Sequence, residues 1–340
     1  MIKITMFSAA ETVPGQGVGS AYRELVNLLE EKFKGQISLR FNSLVPTDIS
    51  HYHTINPAYF LSTFLPGRGR KIGYVHFLPE TLEESITLPK FLKKLFYWYV
   101  MLFYRRMDEL VVVNPTFIDK LVALGVKRDK VTYIPNFVSK DTFFPVSADE
   151  KARIRQQFGL AEDAYIVLGV GQVQERKGVW DFIKLAKANP NWRFIWVGGF
   201  SFGKMTAGYE ALKEVVDNPP ANLDFPGIVP RESMNDYYNL ADVFLLPSYT
   251  ELFPMSALEA FSTGTPTVLR DLDLYQAIID GYYLPAKGRQ GMQKALDQVE
   301  RDPALRKQLA KEALAASDYY SADHVAAIWK AFYEKQAKMR

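Results

Sequence analysis

The sequence predicts an α/β protein of two tandem doubly wound domains whose strand ends face each other across a cleft. Three observations predict it. Short apolar runs alternate with helical patterns along most of the chain, as parallel strands joined by crossover helices do. The alternation stops once, at Phe143-Phe144-Pro145-Val146-Ser147, and then restarts. A chain of 340 residues is long enough for about two such domains.

The first series reads as strands at Ile2–Ser8, Ile37–Asn42, Lys71–Phe77, Glu109–Val113 and Val131–Ile134. Helices are expected between them at Ser20–Phe33, Pro57–Leu65, Pro89–Arg106 and Pro115–Leu124. After the break comes a helix, Ala148–Phe158, closed by Gly159. The second series has strands at Tyr165–Gly169, Trp192–Val197, Leu223–Phe225, Val243–Pro247 and Thr267–Arg270. Its helices are Val179–Ala188, Thr206–Val216, Glu232–Leu240, Pro254–Ser262 and Tyr275–Asp280, and helices alone run from about Gln290 to Lys338. This places domains at 1–145 and 146–320, with a terminal helix of about 321–340 packing back on the first. In such folds ligands bind outside the carboxyl ends of the strands.

Composition narrows the chemistry. Hydrophobic residues make up 48% of the chain, which supports large buried cores. The absence of cysteine excludes disulfides, thiolate zinc sites, iron–sulfur clusters and a catalytic thiol. No run of 18 apolar residues is present to span a bilayer. The net charge of +3 is uneven: residues 1–140 carry 18 basic and 12 acidic side chains, residues 141–340 carry 23 and 26.

Three glycine-rich loops are candidates for binding an anion. Gly15-Gln16-Gly17-Val18-Gly19 precedes a helix but lacks the acid that a dinucleotide fingerprint needs, since Asn42-Ser43 ends the second strand. It reads either as a tight turn or as a phosphate or substrate loop. Gly198-Gly199-Phe200-Ser201-Phe202-Gly203-Lys204-Met205 has P-loop spacing, but Met205 replaces the magnesium-binding hydroxyl. Gly169-Val170-Gly171-Gln172-Val173-Gln174-Glu175-Arg176-Lys177-Gly178 carries two cations between a strand and a helix. It reads either as a solvated turn or as a diphosphate site.

The segment Pro247-Ser248-Tyr249-Thr250-Glu251-Leu252-Phe253-Pro254-Met255-Ser256-Ala257-Leu258-Glu259-Ala260 is the most informative. Glu251 stands in a loop, and Pro254 suits the first position of a helix. Glu259 lies inside that helix among apolar neighbours, so it needs a partner. Two carboxylates so spaced can hold different hydroxyls of one extended ligand, with the free amides of the helix start meeting a phosphate between them.

On these residues the sequence resembles the retaining glycosyltransferases of family 4, which have the GT-B architecture. Glu251 and Glu259, the Gly171–Gly178 turn, Thr263-Gly264-Thr265-Pro266-Thr267 and Tyr133-Ile134-Pro135-Asn136 match in order and spacing over nearly the whole chain. The resemblance implies a UDP-hexose donor and no metal or other cofactor. It implies Lys177 on the diphosphate, Glu259 on the ribose hydroxyls and Glu251 near the hexose, with Phe253, Pro254 and Met255 also at the donor. The sequence departs from the family at Gln172, where an arginine is usual, and Arg176 is the candidate replacement. Glu251-Leu252-Phe253-Pro254 also lacks the two glycines of the usual run.

Of the four histidines, His76 ends a strand on the cleft side. Position and resemblance make it, with Glu251, a candidate catalytic residue that contacts sugar near the reacting carbon. His51-Tyr52-His53 reads as a short strand with its two rings on opposite faces, which argues against a facing metal pair. His53, with Gly15, Gln16 and Gly17, is a candidate acceptor contact. His324 reads as structural.

Residues 68–106 carry eight basic and three acidic side chains, and Leu95–Tyr104 is entirely apolar or aromatic. This is either a buried helix or an element facing an anionic membrane surface, with Lys90, Lys93, Lys94, Trp98, Arg105 and Arg106 as contacts. A closer resemblance rests on Met6–Ser20, on His51-Tyr52-His53-Thr54-Ile55-Asn56-Pro57 and on Gly73-Tyr74-Val75-His76-Phe77-Leu78-Pro79-Glu80-Thr81. These are similar to Gram-positive glycolipid synthases that add galactose or glucose to glucosyl-diacylglycerol in α-1,2 linkage. The products of those enzymes anchor lipoteichoic acid. The resemblance implies a cytoplasmic enzyme, peripheral on the inner face of the membrane; the small basic excess, interleaved with a long apolar run, argues against a nucleic-acid partner. A soluble or cell-wall acceptor, a sugar-nucleotide epimerase and a non-catalytic UDP-sugar binder are the competing readings.

Overall fold

The computed structural model describes residues 1–10, 17–78, 90–201, 203, 206 and 208–339. Among these, twelve strands form two all-parallel sheets. The first contains β1 (Ile2–Phe7), β2 (Ile37–Phe41), β3 (Ile49–Tyr52), β4 (Arg70–Val75), β5 (Glu109–Val112) and β6 (Val131–Tyr133) in the order β2-β1-β3-β4-β5-β6. The second contains β7 (Ile166–Val170), β8 (Arg193–Val197), β9 (Leu223–Gly227), β10 (Val243–Leu246), β11 (Thr267–Arg270) and β12 (Leu284–Ala286) in the order β12-β11-β10-β7-β8-β9.

The central strands of the second sheet, β7 and β10, are nearly continuous apolar runs because helices cover both sheet faces. Val243, Phe244, Leu245 and Leu246 of β10 are all fully buried. Strand order reverses between β1 and β3 in one sheet and between β7 and β10 in the other. These switch points are where a doubly wound sheet opens a crevice for ligands.

Packing divides the chain into two units. The first holds β1–β6 and the helix Ala322–Lys338; the second spans Val138–Ser321. The terminal helix completes the first unit. Its Trp329 and Tyr333 are fully buried, and Arg70 Nε donates to Gln336 Oε1 at 3.1 Å. In the second unit Phe182, Phe194 and Trp196 pack edge to face in the core. Asp302 caps the helix Pro303–Tyr319 by accepting from the Ala304 and Leu305 amides.

Most elements begin and end within a few residues of the pattern-based limits. Three differ. Strand β12, Leu284-Pro285-Ala286, has too little pattern to be read, and its proline is tolerated at the sheet edge. The helix expected from Thr206 begins at Tyr209, after Gly208 takes φ +74°. Pro254 caps its helix from extended backbone (φ −75°, ψ 106°), and the helix starts at Met255.

Candidate active site

The loops after β7 and β10 meet at the switch point of the second sheet. Gly178 makes that approach possible. Its φ is +73°, and a Cβ there would lie 2.1 Å from the Pro247 carbonyl oxygen. The Tyr249 amide then donates to the Arg176 carbonyl at 2.8 Å, and Arg176 Nη1 to the Thr250 carbonyl at 3.3 Å.

This brings the Lys177 ammonium onto the Glu251 carboxylate, in a buried ion pair. Burial disfavours the charged form of both groups. For Glu251 the nearby charges of Lys177 and Arg176 outweigh burial and hold the carboxyl below its usual range. For Lys177, burial and the Arg176 guanidinium outweigh Glu251 and lower the ammonium from its usual value. A Cβ on Gly171 would touch the Lys177 side chain at 3.6 Å. Gln172 and Gln174 are buried beside it, and neither amide atom of Gln174 has a partner among the described residues.

Glu259 has the partners its apolar setting demands. Its Oε2 accepts from the Tyr238 hydroxyl at 2.7 Å and its Oε1 from Arg231 Nη1 at 3.0 Å. A carboxylate offers about four acceptor positions, and these two bonds use half of them. The Arg231 guanidinium lies 4.9 Å from the centre of the Phe143 ring. Met255 is buried, and Phe253 packs against the Tyr320 ring. The first amides of the Met255–Ser262 helix have no acceptor within the helix. Sequence reasoning missed Tyr238 and Arg231, whose distance along the chain leaves no local signal. It also missed Arg270, although a cation at a strand's carboxyl end is the same signal that found Lys177.

In the Gly198–Met205 loop, Phe200 packs on Tyr209, while Phe202, Lys204 and Met205 lie outside the described residues. Gly15 and Gln16 also lie outside them, and Gly17 opens the helix Gly17–Lys32.

The first unit corrects one expectation. The His51 and His53 rings share a face, with centroids 4.1 Å apart, because residues two apart on a strand point the same way. Tyr74 stacks on His53 and on His76, with centroids 5.1 Å and 4.4 Å away, and the two imidazoles are themselves 5.8 Å apart. All three histidines are buried. His51 Nδ1 meets the Tyr333 hydroxyl at 2.8 Å. Both ring nitrogens of His53 and Nε2 of His76 have no partner among the described residues. Burial pushes His76 down to about 3. Burial and the His76 imidazole push His51 down to about 3. Burial and the other two rings push His53 well below the usual value. All three are therefore neutral near pH 7. Among the described residues, no His, Asp and Glu group is arranged to hold a metal ion.

The helix Lys90–Arg106 has two apolar faces. Val100, Met101, Phe103 and Tyr104 are buried, and Tyr104 donates to the Phe77 carbonyl at 2.9 Å. Phe91, Leu95, Trp98 and Leu102, spaced 4, 3 and 4 residues apart, line the outside, with Trp98 61% exposed. Leu61 and Phe64 are also exposed, and the Arg106 guanidinium sits 4.5 Å from the Phe64 ring centre. Lys94 is exposed and Lys93 half-buried. The side chain of Lys90 lies outside the described residues. Arg105 and Arg106 donate to the Leu124 and Thr63 carbonyls, so both are anchored to the protein. Among the described residues, no helix is long and apolar enough to cross a membrane.

The family model for group 1 glycosyl transferases matches residues 150–315, and that for glycosyltransferase family 4 matches residues 33–142. The alpha-galactosylglucosyldiacylglycerol synthase of Streptococcus pneumoniae is 53% identical over 99% of this chain and 91% of its own. The chain is a family 4 glycosyltransferase. Its fold is GT-B: sucrose-phosphate synthase from Thermosynechococcus elongatus superposes with a TM-score of 0.82 at 17% identity, covering all of both chains. Anabaena HepE, solved with UDP and glucose, gives 0.79 at 14% identity over 98% of this glycosyltransferase and 100% of HepE.

Proposed function

We propose that this glycosyltransferase moves a hexose, galactose in the first instance, from a UDP-sugar to glucosyl-diacylglycerol at a membrane surface, in α-1,2 linkage with retention. One observation carries the reading. The paired glutamates and the turn lysine occur in a chain matched end to end by a synthase whose product is a galactosylglucosyl-diacylglycerol.

In this mechanism Lys177, Arg176 and the amides at the Met255 helix start take the diphosphate. Glu259 takes the ribose hydroxyls with its two free acceptor positions. The incoming diphosphate replaces Glu251 on the Lys177 ammonium, and the freed carboxylate turns to the hexose. The bond from the anomeric carbon to the phosphate oxygen breaks as the acceptor oxygen bonds that carbon from the same face. The departing phosphate oxygen takes the acceptor's hydroxyl proton. Fixed cations stabilise the charge that develops on the leaving group, without a metal ion. A neutral His76 gives or accepts one hydrogen bond with the sugar; its imidazole is too weak a base to take the proton. His53 and Gly17 serve the acceptor side.

The exposed Phe91–Leu102 stripe, with Lys94 and Arg106 beside it, suits the headgroup region of an anionic membrane. This gives the enzyme a peripheral place on the inner leaflet. Competition between UDP-galactose and UDP-glucose, with glucosyl-diacylglycerol and soluble glucosides offered together, tests the assignment. One hexose added to the lipid is expected. Transfer to the soluble glucosides alone would remove the glycolipid from the reading.

A further inference from the structure

We infer that Asp181 is a positioning residue, a carboxylate that sets the Lys177 turn and the Glu251 loop in register through Tyr249 and Arg270. The inference rests on the reading that Lys177 and Glu251 face the donor.

The two loops leave different strands and contain little regular structure, yet the ammonium and carboxylate must meet a ligand within a fraction of an ångström. Displacement by about 1 Å can cost on the order of 100-fold in rate. Asp181 lies in the first turn of the helix Val179–Ala188, and its amide donates to the Gly178 carbonyl at 2.9 Å. Its Oδ2 accepts from the Tyr249 hydroxyl at 2.8 Å, two residues before Glu251. The same oxygen accepts from Arg270 Nη2, at the carboxyl end of β11.

Arg270 closes the circuit. Its Nε donates to the Pro247 carbonyl at 2.9 Å, the oxygen against which Gly178 packs. Its guanidinium lies 3.9 Å from the centre of the Tyr249 ring. The Asp181 and Arg270 side chains are each only 11% exposed, while Tyr249 is half exposed. Core packing therefore does not explain where the tyrosine hydroxyl sits. Every connection in the circuit ends on a segment that leads directly into Lys177 or Glu251.

The experiment uses the full chain and three readouts: kcat and KM for hexose transfer, UDP affinity by calorimetry, and the melting temperature. Tyr249→Phe removes one hydrogen bond and leaves the stacked ring. It should lower kcat about tenfold with UDP affinity and melting temperature unchanged. Asp181→Asn, which removes the charge facing Arg270, should lower kcat further, and Asp181→Glu should recover part of the loss. Unchanged kcat in Tyr249→Phe, or losses of kcat that follow melting temperature in all three variants, would overturn the assignment. Lys177→Ala serves as the control. If it keeps full UDP affinity, the donor-site reading itself fails. If it loses affinity while Tyr249→Phe transfers normally, only the role of Asp181 fails.

Discussion

The two sheets share strand number and parallel pairing, but they differ in what stands at their carboxyl ends. In the second unit three charged pairs stand near the switch point, Lys177 with Glu251, Arg231 with Glu259 and Arg270 with Asp181, while Arg176 donates to the Thr250 carbonyl. In the first unit the corresponding strand ends carry His51, His53, Tyr74 and His76, packed ring against ring and uncharged. On the proposed function, one scaffold would serve two kinds of recognition. Paired charges suit a nucleotide diphosphate, which in the proposed mechanism enters by exchanging one partner for another. Neutral rings suit sugar hydroxyls, which need hydrogen bonds and no net charge. The surfaces differ too, since the exposed apolar stripe belongs to the first unit.

The comparison can be broken at several points. Lys177→Ala strikes the charged site at its centre and should reduce hexose transfer by on the order of 100- to 1,000-fold, measured as initial rate with saturating acceptor. A small loss would mean that the second unit does not rely on this cation. Glu259→Gln should weaken UDP binding by about 10- to 100-fold in calorimetry, because it removes a charged acceptor.

The neutral site makes the opposite kind of prediction. The folded-state pKa values of His51 and His76 are depressed to about 3, so their contribution to stability is whole above pH 6.5 and erodes as pH falls toward 3. Each should remove about 2 kcal/mol of stability between pH 7 and pH 5, read from urea unfolding at the two values. Equal stability at both would show that the rings are not neutral and buried together. The smallest expected effect is at the surface. Trp98→Ala should weaken binding to anionic vesicles about tenfold and leave UDP affinity unchanged.

Much of this was legible in the residue pattern. The order of strands and helices, β3 and β12 apart, follows from hydrophobic period, and Lys177, Glu251 and Glu259 stand out because charges in those settings need a reason. Partners distant along the chain were not legible. Nothing local to Glu259 points to Tyr238 or Arg231, and although Arg270 has a readable place at a strand's carboxyl end, nothing local to Asp181 points to it as the partner. The helix Lys90–Arg106 is apolar on both faces for two different reasons, core on one side and exposure on the other, and hydropathy alone does not separate them. The shared face of His51 and His53 was available from strand geometry, since a period of two puts alternate residues together.

The most direct measurement is hexose transfer from UDP-galactose to glucosyl-diacylglycerol in anionic vesicles, followed by lipid mass, for the wild type and Lys177→Ala side by side. The wild type should add one hexose to the glycolipid, and the variant should bind the same vesicles yet transfer on the order of 100- to 1,000-fold more slowly. A wild type that leaves the glycolipid unchanged, or a variant that matches it, would contradict the account.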